Sequence, residues 1–392
     1  MYTESKEVMK HKSTINRAAK FMLTLLGIWP DISYVMFYRM FWTVTMLTFL
    51  FYHYLYFLAH YHSNDVFDLM DCFSSFLGYS KIIMYFVFFW FNQRIFDEIL
   101  TMMAEDWNDC TESDIEMHET VNKAKMSNHI TNVIMTLHVI SPVLYGMNII
   151  LANVDITDHT VELPHIFKME IPFNINTQCT YKVVLIVELI HLVMCSLSLG
   201  VINVLLLILT LHIGGQLNIL HRWLAKMIFK ENKHKSIAII MKKIIRKHQK
   251  IIYFAKNVEN LYTFIAFMQF ISNTIMICII GFLIVTALGN SNATEKIVRM
   301  IPYYSITNLE AFIFCYAGEY LINKSKTIGL VAYNIAWYEL EPKYSRSLLF
   351  IMLRAQKHLT LTVGKMKNLS LQCFASIINS AGSYLSVLLA MQ

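Results

Sequence analysis

The chain has 392 residues, 56% of them hydrophobic and only 15% charged, with few glycines and prolines. Soluble domains average about 25% charged residues, so the composition excludes an ordinary water-soluble protein. The formal net charge of +6 decides little by itself; its distribution along the chain decides more.

The first residues are polar and basic (KEVMKHKSTINRAAK), without the pattern of a cleaved signal peptide. Beyond them, apolar runs of roughly 20 residues recur, the length that crosses about 30 Å of hydrocarbon as a helix. They fall at 35–59, 69–91, 129–152, 182–213, 258–288, 301–322 and 369–391. Unpaired backbone groups are too costly in lipid for open sheet edges. The spacing therefore predicts an all-α integral membrane protein, a single domain over 1–392 with seven transmembrane helices. The fourth and fifth runs exceed membrane length, which predicts tilt or helical continuation into the cytoplasm.

Lys and Arg orient the spans. The stretch through Arg39 holds six, 92–128 three, 214–257 eleven and 323–368 eight, whereas 60–68, 153–182, 287–300 and the C-terminus together hold four. This imbalance predicts a cytoplasmic N-terminus and, after seven spans, an extracellular C-terminus. The acidic run AEDWNDCTESDIEMHE weakens the contribution of 92–128 without changing the balance. Asn292-Ala293-Thr294 falls in a predicted outer loop, so Asn292 is a glycosylation candidate; the sequons at Asn323 and Asn368 fall inside.

The seven cysteines are scattered and form no CxxC pair, which points to neither a zinc site nor a disulfide framework. Cys72 and Cys179 both fall near the outer surface, where a bridge is allowed but not required. Within 214–257, isoleucines at 240, 244, 251 and 252 alternate with Lys and Arg in an amphipathic helical pattern. That helix either lies on anionic lipid or, the favoured reading, docks on a partner helix as an extension of spans four and five. A further helix with apolar Leu348, Leu349, Met352 and Leu353 is predicted after Pro342.

Three stretches resemble insect odorant receptors: LLGIWP at 25–30, LHIGGQLNIL with His212 and Gln216, and about 80 residues from FCYAGEYLINKSK to the end. The last is the closest likeness. The Gln-Phe that related gustatory receptors carry in the last span is replaced here by Ala390 and Met391. The large insertion between spans four and five that marks the family's co-receptor is missing, so the chain looks like a tuning subunit. The resemblance implies a ligand-gated, non-selective cation channel in the plasma membrane of a sensory neuron dendrite. It also implies a heterotetramer with the odorant co-receptor, cations passing through a central pore lined by each last span, and small volatile hydrophobic ligands. No cofactor, metal or nucleic acid is indicated.

On the last span, Ser376, Asn379, Ser380, Ser383, Val387 and Met391 share one helical stripe. Small polar residues of this kind either let membrane helices pack closely or face water, with an apolar ring that closes by dewetting. The resemblance places the gate at Val387 and Met391 and so favours water. No residue of the stripe is charged, which predicts weak ion selectivity.

The resemblance also implies a ligand pocket among spans two, three, four and six, in the outer half of the membrane. Residues at that depth are Phe73, Phe76, Tyr79 and Ser80; Ser141, Leu144, Tyr145 and Asn148; Glu188, His191 and Met194; and Tyr303, Tyr304 and Thr307. Glu188 and His191 lie three apart on one helix face, where they either pair to shield each other from lipid or anchor a polar ligand group. A single Glu-x-x-His is too little for a metal site. Asp71, Lys81, Glu310 and Glu319 read as interhelical or interfacial partners, with Lys81 free to snorkel. No catalytic pattern is present. The alternative reading is a G-protein-coupled-type seven-helix chemoreceptor, against which the loop charges and missing Asp-Arg-Tyr and Asn-Pro-x-x-Tyr motifs stand. A transporter would require internal repeats or broken helices, and neither is visible.

Overall fold

A computed structural model describes residues 15–30, 33–62, 66–110, 114–151, 163–170, 177–227, 234–288 and 293–391. Asn292 lies outside the described residues. The helices are α1 (Arg17–Leu25), α2 (Val35–His60), α3 (Val66–Phe91), α4 (Gln93–Asp109), α5 (Asp114–Leu151), α6 (Gln178–Lys226), α7 (His234–Ala287), α8 (Ala293–Tyr333), α9 (Pro342–Gln356) and α10 (Leu371–Ala390). A two-stranded hairpin, β1 (Thr362–Val363) and β2 (Lys367–Asn368), separates α9 from α10.

Six of these helices, α2, α3, α5, α6, α7 and α10, are long and apolar enough to cross a membrane. The sixth predicted span, 301–322, falls inside α8, which is not one of these six helices. Its tyrosines, Asn308 and Glu310 dilute the apolar character. Yet α8 packs against α5, α6 and α7, and Glu310 is buried there among protein neighbours.

The bundle is organised around α6. Every residue from Gly200 to Leu217 is buried, as expected of a helix that is apolar all round. The two overlong predicted spans are single continuous helices of 49 and 54 residues. Along the basic part of α7, Ile244 and Ile251 are buried, so this segment docks on the protein. There, Asp106 of α4 contacts His212 Nε2 at 3.0 Å, Lys247 at 2.9 Å and Lys250 at 3.2 Å. Burial by itself would raise the Asp106 pKa; the His212 hydrogen bond and the charges of His212, Lys247 and Lys250 outweigh it and hold the carboxyl well below its usual range. His212 of the LHIGGQ stretch is thus a structural tie between α6 and α4.

LLGIWP closes α1. Gly27 has φ +65°, a left-handed turn that suits glycine. Trp42 Nε1 donates to Leu25 O at 2.8 Å and Arg39 Nε to Gly27 O at 3.1 Å, fastening the turn to α2.

The hairpin is clamped to α7. Gly364 N donates to Thr263 O at 3.0 Å, and Lys365 N to Thr263 Oγ1 at 3.2 Å. Ser370 then caps α10 through Cys373 N, and Leu371 N donates to Glu319 Oε2 at 3.3 Å. Glu319 of α8 therefore holds the first turn of α10. Cys72 and Cys179 are both unpaired; Cys72 is buried with its thiol 3.4 Å from His53 O, whereas Cys179 is exposed.

Candidate functional site

Between α3, α5, α6 and α8 lies a cavity with about 730 Å³ of atom-free space, continuous with the outside. Lining side chains follow helical periodicity on each wall: Ser75, Tyr79 and Ile82 on α3, Ser141 and Tyr145 on α5, Leu192, Cys195 and Leu199 on α6, and Tyr303, Ile306, Thr307 and Glu310 on α8. Met276 of α7 and Phe167 of the segment before α6 complete it. The lining is mostly apolar with a few placed polar groups, the usual character of a small-molecule site.

Segment 163–170 covers the cavity, and Glu188 holds it there. Its carboxylate accepts from Ile166 N at 2.9 Å and lies 3.0 Å from His165 Nδ1. Arg299 Nη2 donates to Ile166 O and to Tyr145 OH, each at 2.7 Å, and Tyr145 OH donates to Asp71 Oδ1 at 3.2 Å. The sequence-level pairing of Glu188 with His191 is not formed. His191 instead stacks on Phe49, ring centroids 3.8 Å apart, and its Nδ1 lies 3.0 Å from the Tyr79 hydroxyl. A charged carboxylate beside two backbone or imidazole N–H donors is better satisfied than beside one ring on its own helix.

At the cavity floor, Lys81 and Glu310 form a buried ion pair of 2.7 Å. Lys81 Nζ also donates to Asn273 Oδ1 at 3.3 Å, and Gln269 Nε2 donates to Glu310 Oε2 at 3.2 Å. Tyr85 donates to Gln269 Oε1, and His138 Nε2 lies 3.7 Å from Glu310 Oε1. Lys81 therefore does not snorkel: it is 2% exposed and tied to α7 and α8. Among the described residues no group of three His, Cys, Asp or Glu is placed to hold a metal ion.

Of the sequence-predicted pocket residues, Tyr79, Ser141, Tyr145, Tyr303 and Thr307 line the cavity. Phe73, Phe76, Ser80, Leu144, Asn148, Glu188, His191, Met194 and Tyr304 do not. Leu144 is 48% exposed on the outer surface of the bundle, and Glu188 and His191 act one layer behind the wall. Lys81 and Glu310 face the cavity although sequence reasoning made them only structural partners. Ionisable residues on membrane-depth helices were the available signal for them.

On α10, Cys373, Ile377 and Ala381 are buried against the bundle, where α10 packs on α7 and α8. The predicted stripe lies to one side of that face. Ser376 and Ser380 are half-buried, Asn379 and Ser383 exposed, and Val387 and Met391 are 58% and 81% exposed. No atom lies within 4 Å of a Cβ built at Gly382. This flank thus runs from small polar residues, half-buried or exposed, to an apolar exposed end at Val387 and Met391.

The arrangement is the fold of an insect olfactory receptor. The structure of the insect olfactory receptor OR5 from Machilis hrabei in complex with eugenol aligns over 100% of both chains with a TM-score of 0.78 at 14% identity. A family model described as 7tm odorant receptor matches residues 65–382. The chain belongs to that family, as a multi-pass membrane protein. Odorant receptor 10 of Aedes albopictus is 31% identical over 158 residues, 40% of each chain. Odorant receptor 13a of Drosophila melanogaster is 28% identical over 188 residues, 44% of each. These matches thus span less than half the length of the curated relatives.

Proposed function

We propose that the chain is the tuning subunit of an odorant-gated, non-selective cation channel in the plasma membrane, assembled with the odorant co-receptor as a heterotetramer. It crosses the membrane seven times, α8 included, with its N-terminus cytoplasmic and C-terminus extracellular. The observation that carries the reading is the shared helix. α8 presents Tyr303, Thr307 and Glu310 to the cavity and, two turns further on, Gly318 and Glu319 to the start of α10. A small hydrophobic ligand that favours one position of α8 therefore also biases α10, which is how a ligand shifts a two-state equilibrium. Related OR5 was solved with eugenol, which supports a volatile of similar size here. Val387 and Met391, uncovered at the far end of α10, would form an apolar ring where four copies meet.

The deciding experiment is co-expression with the co-receptor and a volatile panel under voltage clamp. Expected is a ligand-evoked current reversing near zero in mixed cations. A response that requires a G protein would support the metabotropic alternative and overturn this reading. Val387→Ala and Met391→Ala are expected to raise basal leak or change unit conductance; wild-type currents from both would remove the pore assignment.

Tyr303→Ala removes an aromatic wall of the cavity and should weaken ligand potency roughly tenfold, with pore block unchanged. Phe76→Ala, outside the lining, is the control and should leave potency near wild type. Dose–response curves with equal sensitivity for Tyr303→Ala and wild type would exclude this cavity as the ligand site.

A further inference from the structure

A second groove lies between α5, α6 and α8, nearer the basic-loop side, with about 610 Å³ of atom-free space. Its walls include Met126, Ile134, Leu211, Phe312, Tyr316 and Tyr320. The one hydroxyl of α6 that lines it, Thr210, is bonded to Leu206 O and Leu207 O of its own helix. Met126, Phe312 and Tyr316 are 43%, 41% and 40% exposed, so the groove opens sideways at the depth of the apolar spans. A groove of this kind offers hydrocarbon contact and almost nothing to hydrogen-bond.

One helical turn beyond it, toward the basic loops, stand Lys123 on α5 and Lys324 on α8, both half-buried. Lys123 Nζ donates to the Tyr320 hydroxyl at 3.4 Å, and Lys324 Nζ to Asn218 Oδ1 at 3.3 Å. Neither has a carboxylate within ion-pair distance among the described residues. Glu119, the nearby acid on α5, is engaged by Asn218 at 2.7 Å and Arg222 at 2.9 Å. Burial first and then the Lys324 charge lower the Lys123 pKa, against an opposing pull from Glu119. Glu119 pulls on Lys123 but is already bonded to Asn218 and Arg222, so the two lysines retain charge that an added anion would satisfy.

We propose that this groove binds an anionic phospholipid, with one acyl chain along α5, α6 and α8 and the phosphate on Lys123 and Lys324. Chain and charge then lie in the order a bilayer presents them, hydrocarbon toward the centre and phosphate at the interface. The site is separate from the odorant cavity and does not depend on how the channel is gated.

The test is native mass spectrometry of the full-length protein in mild detergent, titrated with phosphatidylserine and with phosphatidylcholine of identical chains. Phosphatidylserine is expected to be retained roughly ten- to thirtyfold more strongly, the effect of two interfacial lysines. K123Q/K324Q should lower it to the phosphatidylcholine level, and K123R/K324R should restore it, which separates charge from fold. M126W, which fills the groove and keeps both lysines, should reduce retention of both lipids. Equal retention of the two lipids by the wild type, or undiminished phosphatidylserine on K123Q/K324Q, would overturn the proposal. So would displacement of the lipid by millimolar inorganic phosphate, which would mark a site for free anions.

Discussion

Exchanging Glu310 for glutamine is expected to destabilise the receptor by roughly 3–5 kcal/mol, because Lys81 is then left as a buried cation without a counter-charge. The pair is 2.7 Å apart with side chains 2% and 4% exposed, so little solvent reaches Lys81 to offset the lost carboxylate. Asn273 supplies only a neutral acceptor at 3.3 Å. Thermal unfolding in detergent and the fraction of chains reaching the cell surface both read the loss. The double variant Lys81→Met with Glu310→Met should recover most of it, since exchanging a whole buried ion pair for apolar groups is often neutral. A Glu310→Gln receptor that melts with the wild type would show that the pair contributes nothing to holding α3 against α8.

The second large effect is expected at Gly318. A Cβ there would lie 2.5 Å from Leu369 Cβ and 2.8 Å from its carbonyl carbon, and closer still to the carbonyl oxygen. Backbone cannot yield as a flexible side chain can, so Gly318→Ala should cost about 1–3 kcal/mol and push the start of α10 away from α8. The expected readout is a lowered melting temperature together with altered basal current. Gly382→Ala is the matched control: nothing lies within 4 Å of its Cβ, and helix propensity alone should stabilise it by up to about 1 kcal/mol. If the two substitutions behaved alike, the close approach at Leu369 would not be holding α10.

The helical class was legible in the sequence, because apolar runs of membrane length are a one-dimensional signal, whereas a pocket among the second, third, fourth and sixth spans was implied only by the resemblance. Helix phase was not legible. On α6 the residues read from depth, Glu188, His191 and Met194, do not line the cavity, which is lined by Leu192, Cys195, Ser196 and Leu199. A shift of one residue turns a side chain by 100°, and a helix as uniformly apolar as α6 has no polar stripe to fix its rotation. The same holds for Tyr304 beside Tyr303, and for Leu144 beside Tyr145. On α10, where serines break the uniformity, spacing placed Ser376, Asn379, Ser380 and Ser383 on one stripe but left open whether it meets water or another helix. The partners of Glu188 were out of reach for a different reason: His165 and Ile166 belong to an irregular segment with no periodicity to place it.

Because the β1–β2 hairpin is pinned to α7 and Glu319 grips the first turn of α10, one end of α10 is tied by hydrogen bonds while the other rests on apolar packing alone, through Leu385 and Leu388. A rod held in this way would tilt as a lever with its fulcrum at the hairpin. Twenty residues at 1.5 Å each make an arm of about 30 Å, so a tilt of only about 5° carries the far tip roughly 2.5 Å. A displacement of that size at Val387 and Met391 demands far less rearrangement near Ser370, where the swing begins.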